Sequence, residues 1–475
     1  MAAMASSQAL AALSDIVGAS YVLTAETPNS PYRCDWTGDY VASPLAIVRP
    51  ASPSEVAAVV TVARTHGLKI VPQGGNTGLV GGTHAVGDDV ILVNLDRLNR
   101  VRRLSPEDFS VTVEAGLTVQ AIQDIASGCD RLFALSFGAQ GSAQIGGALA
   151  TNAGGLNVLR YSMARDLVLG LEVVLPDGRI VDMLSDLRKD NRGLDLKQLF
   201  IGTEGTLGII TAATLKLHPA IRHRQTALLG FADIEALVAF QSRARAHCAD
   251  LLSAFEFIER DCIDLAIEHQ PSLQDPIDDR FAVYGLIELS ASGDVDLSAL
   301  LESLLEAGME RGEVLGGTIA ASTAQAANLW GIREAMVEAQ ARRGRHLRTD
   351  LSVPLSLVPA LVRQLDSLLA ERLPGWQRLA YGHVGDGNVH YNALPPAGSD
   401  DTDIRATIAE TLPALYAVAL ALGGSFSAEH GIGRSRAGAL QGQANTGALD
   451  VSTAIKHLLD PDGLFNPGCL FRQAG

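Results

Sequence analysis

The strongest constraint on this chain is a glycine-dense segment that follows a strand-like stretch: Pro72-Gln73-Gly74-Gly75-Asn76-Thr77-Gly78-Leu79-Val80-Gly81-Gly82. Glycines at this density permit positive φ and close backbone approach. Successive exposed N–H groups then form an anion nest suited to a pyrophosphate. Asn76 and Thr77 are read as additional side-chain donors. Two more such segments follow, Ile145-Gly146-Gly147-Ala148-Leu149-Ala150-Thr151-Asn152-Ala153-Gly154-Gly155 and Gly202-Thr203-Glu204-Gly205-Thr206-Leu207-Gly208-Ile209-Ile210. Three cradles suit an extended ligand with phosphates, a sugar chain and a ring system. Two common alternatives fail. The chain has no GxxxxGK[ST] phosphate loop, and the GxGxxG of a Rossmann NAD site is absent.

The surrounding pattern is α+β. Residues 6–20 read as a short capping helix, and 45–75 as strand, helix, strand. Ser52-Pro53-Ser54-Glu55 opens that helix with a hydroxyl, a proline and an acid. Residues 90–95 and 110–116 read as strands, and Pro176-Asp177-Gly178 as a hairpin turn. Near Pro219 the character changes to alternating strands and amphipathic helices, predicting an antiparallel sheet with helices on one face. Residues 400–475 read as mainly helical. The domains expected are 1–43, an N-terminal helix and loop; 44–219, a ligand-binding domain; 220–420, a substrate domain; and 421–475, a segment completing the site.

The formal net charge of −16 argues against nucleic acid or an anionic membrane as partner. An anionic substrate would therefore need a local cationic pocket. Five cysteines (Cys34, Cys129, Cys248, Cys262, Cys469) lie apart with no CxxC pair, which predicts reduced thiols and a cytoplasmic location. The N-terminus lacks the charged start of a signal peptide, and no unbroken apolar run predicts a transmembrane segment.

PQGGNTGLVGG, IGGALATNAGGLNVLRY, GLEVVLPDG and FIGTEGTLGIIT resemble the flavoproteins typified by vanillyl-alcohol oxidase and p-cresol methylhydroxylase. The resemblance implies that 44–219 is a two-subdomain FAD-binding domain, followed by an antiparallel-sheet cap domain and a mainly helical C-terminal segment. It places Pro72, Gly74, Gly75, Asn76, Thr77, Gly78, Gly81 and Gly82 at the cofactor. It also places there Gly146, Gly147, Thr151, Asn152, Gly154, Gly155, Glu204, Gly208, Ile209 and Asn466. Some members attach flavin through a His in the first glycine loop. Residues 72–82 contain none and Asn76 stands there, so non-covalent FAD is expected.

A second constellation is Tyr381-Gly382-His383-Val384-Gly385-Asp386-Gly387-Asn388-Val389-His390-Tyr391-Asn392. With Asp386-Gly387 as a two-residue turn, His383 lies directly across from His390. Opposed Cβ atoms are roughly 4.5–5.5 Å apart, close enough for two imidazoles to share a metal. Asn392 points to the same face. Ser425-Phe426-Ser427-Ala428-Glu429-His430-Gly431 adds a carboxylate beside an imidazole. Two His and one carboxylate form a plausible zinc or manganese site with open positions. The same ligands would also serve a metal-dependent hydrolase, in which the glycine segments are mere loops. A flavin-absorbing preparation separates the two readings.

These segments are similar to the D-2-hydroxyglutarate and D-lactate dehydrogenase branch of the flavoprotein family. The resemblance implies His383, His390 and Glu429 as ligands of a divalent metal, usually zinc, with His430 as base and Asn392 as a substrate contact. In Trp330-Gly331-Ile332-Arg333-Glu334-Ala335-Met336-Val337 it makes Arg333 the carboxylate-binding group, and pairing of Arg333 with a nearby acid is the structural alternative. Three positions depart from the hydroxyglutarate pattern. Val337 replaces a Thr, Arg348 replaces a Lys, and Cys469 replaces the Lys of FNPGK. Val337 and Arg348 fall at the substrate's distal end. Arg348 retains a charge for a second carboxylate, while Val337 favours a shorter tail, as in lactate or glycolate. An external acceptor, either an electron-transfer flavoprotein or a quinone, is implied, and a homodimer is expected from the fold.

Overall fold

A computed structural model describes residues 2–24, 31–443 and 446–471. The chain forms two compact units. The first comprises Met1–Gly154, Ser162–Pro219 and Glu429–Gly475; the second comprises Gly155–Tyr161 and Ala220–Ala428. The N-terminal helix and the C-terminal segment thus belong to the unit that carries the glycine-rich segments.

In the first unit a four-stranded sheet runs in the order Val22–Leu23, Ser43–Val48, Val86–Asn94, Lys69–Gln73, with the last three strands parallel. Helix Pro53–Thr65 connects two of them. Its cap is the one the sequence spells out. Ser52 Oγ accepts from Glu55 N at 3.1 Å, and Glu55 Oε2 accepts from Ala51 N at 2.8 Å. Val56, Val59, Val60 and Ala63 form its buried face. A second, antiparallel sheet has the order Val101–Ser105, Ser110–Glu114, Ile209–Lys216, Val168–Val174, Ile180–Asp182. The turn at Gly178 (φ 85°) joins its last two strands, as the Pro-Asp-Gly signal indicates.

The second unit is built on seven antiparallel strands, in the order Val314–Ile319, His223–Phe231, Val283–Ala291, Leu252–Glu259, Gln377–Gly382, Asn388–Leu394, Leu351–Ser352. Helices cover both faces, not one. Ile258, Tyr284 and Leu286 pack with Ile263 and Met336, from helices Arg260–His269 and Thr323–Arg342. On the opposite face Phe255 and Phe231 meet Phe240 of helix Ile234–Cys248. Strands Leu252–Glu259 and Val283–Ala291 are buried at every position, which an antiparallel sheet with one wet face would not show.

One described helix, Asp401–Ala421, is long and apolar enough to cross a membrane by length and composition alone. The sequence reading required an unbroken run, which Thr407, Glu410 and Thr411 interrupt. Ile404, Leu415, Tyr416 and Ala419 of this helix are buried inside the protein.

Candidate functional site

The glycines of the first unit divide into two kinds. A Cβ on Gly75 would lie 2.0 Å from Ser142 O, one on Gly205 2.3 Å from Pro72 Cγ, and one on Gly146 2.7 Å from Ala115 Cβ. A Cβ on Gly208 would lie 2.4 Å from Val173 Cγ1, beside the buried Ile209. These glycines let backbone and neighbouring side chains approach. Gly78 and Gly147 instead face open space, and added side chains there would occupy room a ligand can use. That division fits a dinucleotide cradle: one set of glycines closes the loops on each other and another leaves the concavity clear.

Asn76, expected to donate to the nest, also holds its own loop. Its Nδ2 donates to Cys34 O at 2.7 Å and its Oδ1 accepts from Thr83 Oγ1 at 2.8 Å. Both ends of the amide hold the loop, which explains a positive φ of 58° at a non-glycine position. Asn152 (φ 51°) likewise accepts from Arg165 N at 2.9 Å. Thr151 Oγ1 turns back to Gly147 O at 3.2 Å.

The C-terminal segment straps these loops. Glu204 Oε1 accepts from Ile432 N at 2.7 Å and Oε2 from Gly433 N at 2.8 Å, with Cys469 Sγ also donating to Oε2 at 3.3 Å. Burial pushes the Glu204 carboxyl up, opposed by those donors. Asn466 Nδ2 donates to Gly82 O at 3.0 Å and to Glu204 O at 2.7 Å. Arg434, which the sequence reading did not single out, sends Nη1 to Gly81 O and Gly82 O, and Nη2 to Asn466 Oδ1 and Pro467 O. Its place one turn after Glu429-His430-Gly431 was the available signal. Lys456 Nζ donates to Thr206 O, Phe465 O and Asp460. Glu429 and His430 stand at the start of this strap, half-buried, with Glu429 Oε1 4.0 Å from His430 Nε2.

In the second unit the histidine hairpin closes differently from the two-residue turn. His390 pairs with Tyr381, not His383, and the turn is a short 3-10 helix over Val384–Asp386. Asn388 N reaches back to His383 O at 3.2 Å, and Gly387 adopts φ 82°. Because the register moves by two residues, the facing side is retained. The two imidazoles still meet, with ring centroids 5.6 Å apart at 83°.

Carboxylates that the sequence reading missed lie behind them. His383 Nδ1 contacts Glu256 Oε1 at 2.7 Å, and Arg333 Nε donates to Glu256 Oε2 at 2.8 Å. Burial alone would raise the Glu256 carboxyl, but His383 and Arg333 outweigh it and hold it down at about 2. Arg333 also lies 4.8 Å from the Tyr381 ring centroid. So the alternative raised for Arg333, pairing with an acid, is present at its Nε. Asp350, fully buried, places Oδ1 4.0 Å from His390 Nδ1. It accepts from Asn388 Nδ2 at 3.1 Å and from Ala428 N at 3.0 Å. The peptide bond after Ala428 leads to Glu429.

Asn392 uses both ends internally, accepting from Thr349 N at 3.0 Å and donating to Gln340 Oε1 at 2.8 Å. Arg348 Nε donates to His346 Nε2 at 2.9 Å, and His346 Nδ1 contacts Gly344 O at 2.8 Å, which requires the Nδ1–H tautomer. Val337, one turn beyond Arg333, is 43% exposed. Neither Glu256 nor Asp350 is adjacent in sequence to the histidines, so no local motif marks them.

An imidazole whose Nδ1 is held by a carboxylate presents Nε2 to a metal in a fixed orientation. His383 on Glu256 has that form, and Asp350 Oδ1 stands 4.0 Å from His390 Nδ1. Among the described residues, Asp350 and His390 of the second unit carry atoms that could ligate a metal, and separately so do Glu429 and His430 of the first. The donor set fits a divalent metal that takes nitrogen and oxygen ligands.

Residues 221–470 match the family of FAD linked oxidases, C-terminal domain, and residues 44–184 match the FAD binding domain. The chain belongs to the FAD-linked oxidases. It is therefore an FAD-linked oxidoreductase. Over 95% of its length it is 38% identical to a probable mitochondrial D-2-hydroxyglutarate dehydrogenase of Oryza sativa subsp. indica, covering 79% of that protein. A D-2-hydroxyglutarate dehydrogenase of Xanthomonas citri pv. viticola is 37% identical, with 93% of this chain and 92% of the relative covered. In solved structures the fold matches 4-ethylphenol oxidase from Gulosibacter chungangensis (TM-score 0.77, 18% identity, 99% and 97% covered). It also matches p-cresol methylhydroxylase (TM-score 0.76, 15% identity, 97% and 96% covered).

Proposed function

We propose that this FAD-linked oxidoreductase oxidises a D-2-hydroxy acid to the 2-oxo acid, with D-2-hydroxyglutarate as the favoured substrate. The observation that carries the reading is relatedness along nearly the whole chain to proteins named for that activity. Two guanidinium groups, on Arg333 and Arg348, in the unit that holds the imidazole pair add support. They are suited to the two carboxylates of such a substrate.

Arg333, steadied by Glu256 at Nε, grips the C1 carboxylate. His383, His390 and Glu429 would hold a divalent metal, zinc first and manganese second, which when bound acidifies the 2-hydroxyl. His430 accepts the hydroxyl proton. FAD, held without a covalent bond, supplies the two-electron acceptance when bound. The glycine segments and the strap fix its place. Arg348, oriented by His346, receives the distal carboxylate. Electrons leave to an external acceptor, an electron-transfer flavoprotein or a quinone, in a cytoplasmic homodimer.

Val337 supports a second reading. An exposed apolar side chain one turn from Arg333 suits a shorter substrate, D-lactate or glycolate. A panel of D- and L-2-hydroxy acids in a dye-reduction assay separates the two. Preference for D-2-hydroxyglutarate upholds the first reading, and preference for D-lactate replaces it.

A further inference from the structure

Glu204 lies in the third glycine segment, where the family resemblance places it at the cofactor. Its carboxylate has other work. Ile432 and Gly433 present consecutive backbone N–H groups, one to each carboxylate oxygen, at 2.7 and 2.8 Å. Consecutive N–H groups of this kind form a nest that favours an anion. The backbone around them is tightly bent, with Gly431 at φ 84° and Gly433 at φ 54°. A Cβ on Gly431 would meet Glu204 Oε1 at 3.0 Å, and one on Gly433 would lie 2.1 Å from Val80 O. The bend follows His430 immediately, so whatever fixes Ile432 and Gly433 fixes the exit of the chain from His430. Glu204 is only 8% exposed and takes a positive φ of 51°, a conformation a non-glycine residue adopts when its side chain is held.

We propose that Glu204 is a positioning residue: its carboxylate plugs the Ile432–Gly433 nest and thereby sets the Glu429–His430 pair for proton removal from substrate. This rests on the assignment of His430 as base. The groups that bond to the carboxylate, the two amides and the Cys469 thiol, are donors, and the Arg436 charge also acts on it, so an acceptor side chain is favoured. An amide of the same shape would turn an NH2 group against one of them. The substitution Glu204→Asp would keep the charge but leave the carboxylate one methylene short.

The test uses the FAD-loaded full chain and two readouts. Hydrogen exchange is measured over residues 428–436 in wild type, Glu204→Gln and Glu204→Asp. Flavin reduction by D-2-hydroxyglutarate and D-lactate is followed anaerobically. Glu204→Gln is expected to speed exchange at Ile432 and Gly433. It is expected to slow flavin reduction about 10–100-fold, the scale of a 1 Å misplacement, with KM changed less than about threefold. Glu204→Asp should fall between. Unchanged exchange in Glu204→Gln, or faster exchange with an unchanged reduction rate, overturns the proposal. If both variants lose FAD, Glu204 serves cofactor binding instead and the proposal also fails. A wild type that no 2-hydroxy acid reduces counts against the proposed function alone, because the exchange readout still decides whether Glu204 holds the nest.

Discussion

The two units build their polar sites from opposite materials. Around the glycine segments of the first, functional geometry belongs to the backbone. Asn76, Asn152, Glu204, Asn466 and Arg434 all bond to main-chain groups, and Gly78 and Gly147 face open space. In the second, geometry belongs to side chains stacked in layers. His383 leans on Glu256, Asn388 on Asp350, Asn392 on Gln340, and Arg348 on His346. The first arrangement is intolerant of added atoms. The second is intolerant of removed ones, because each loss leaves a buried partner unsatisfied.

This contrast can be broken by experiment. The largest effect is expected where chemistry rests on one side chain. His430→Asn should lower substrate-driven flavin reduction by about 10²–10⁴-fold while the bound flavin spectrum survives. An unchanged reduction rate removes His430 as the base.

Next is the layer behind the imidazoles. Glu256→Gln should weaken divalent-metal affinity by about 10–100-fold in a competitive chelator titration. Glu256→Ala should also cost about 3–5 kcal/mol of stability in denaturant unfolding, since Arg333 would lose a buried ionic partner. Equal metal affinity in wild type and Glu256→Gln would mean that His383 is not a ligand.

The glycines give a smaller, paired test. Gly75→Ala should destabilise the apoprotein by about 1–3 kcal/mol or more, because the new methyl meets a backbone carbonyl. Gly147→Ala, which meets nothing, should leave apoprotein stability within about 1 kcal/mol of wild type yet weaken FAD binding. Equal FAD affinity in wild type and Gly147→Ala would mean that this glycine does not face the cofactor.

The smallest effect concerns acid. Glu256 is held from the ordinary carboxyl value of 4.5 down to about 2, so the stability it contributes is fully present above 4.5 and is lost as pH falls toward 2. Glu256→Gln should flatten that part of the stability curve. An identical acid limb in the two proteins contradicts the pairing.

Much of this was legible from residues alone. Glycine spacing located the three segments, and the Ser52–Glu55 cap and the Gly178 turn appear as read. The histidine pair was found through the wrong register. A shift by two residues preserves the facing side, so the error left the proximity intact. What local pattern could not reveal was support from distant parts of the chain. Glu256 lies 127 residues before His383, and Glu204 lies 228 before Ile432. Nor does a short polar residue in a glycine loop announce that its amide also sustains the loop's own left-handed turn, as that of Asn76 does.

The chain passes between the two units after Gly154, Tyr161, Pro219 and Ala428. During synthesis, the body that contains the N-terminal sheet must therefore wait for the residues from Glu429 onward until the whole seven-stranded body has been made. Neither half can be excised as one continuous fragment. A premature stop after the cap unit should leave the glycine loops without Arg434 and Asn466, so that even a short truncation acts as a cofactor-retention defect.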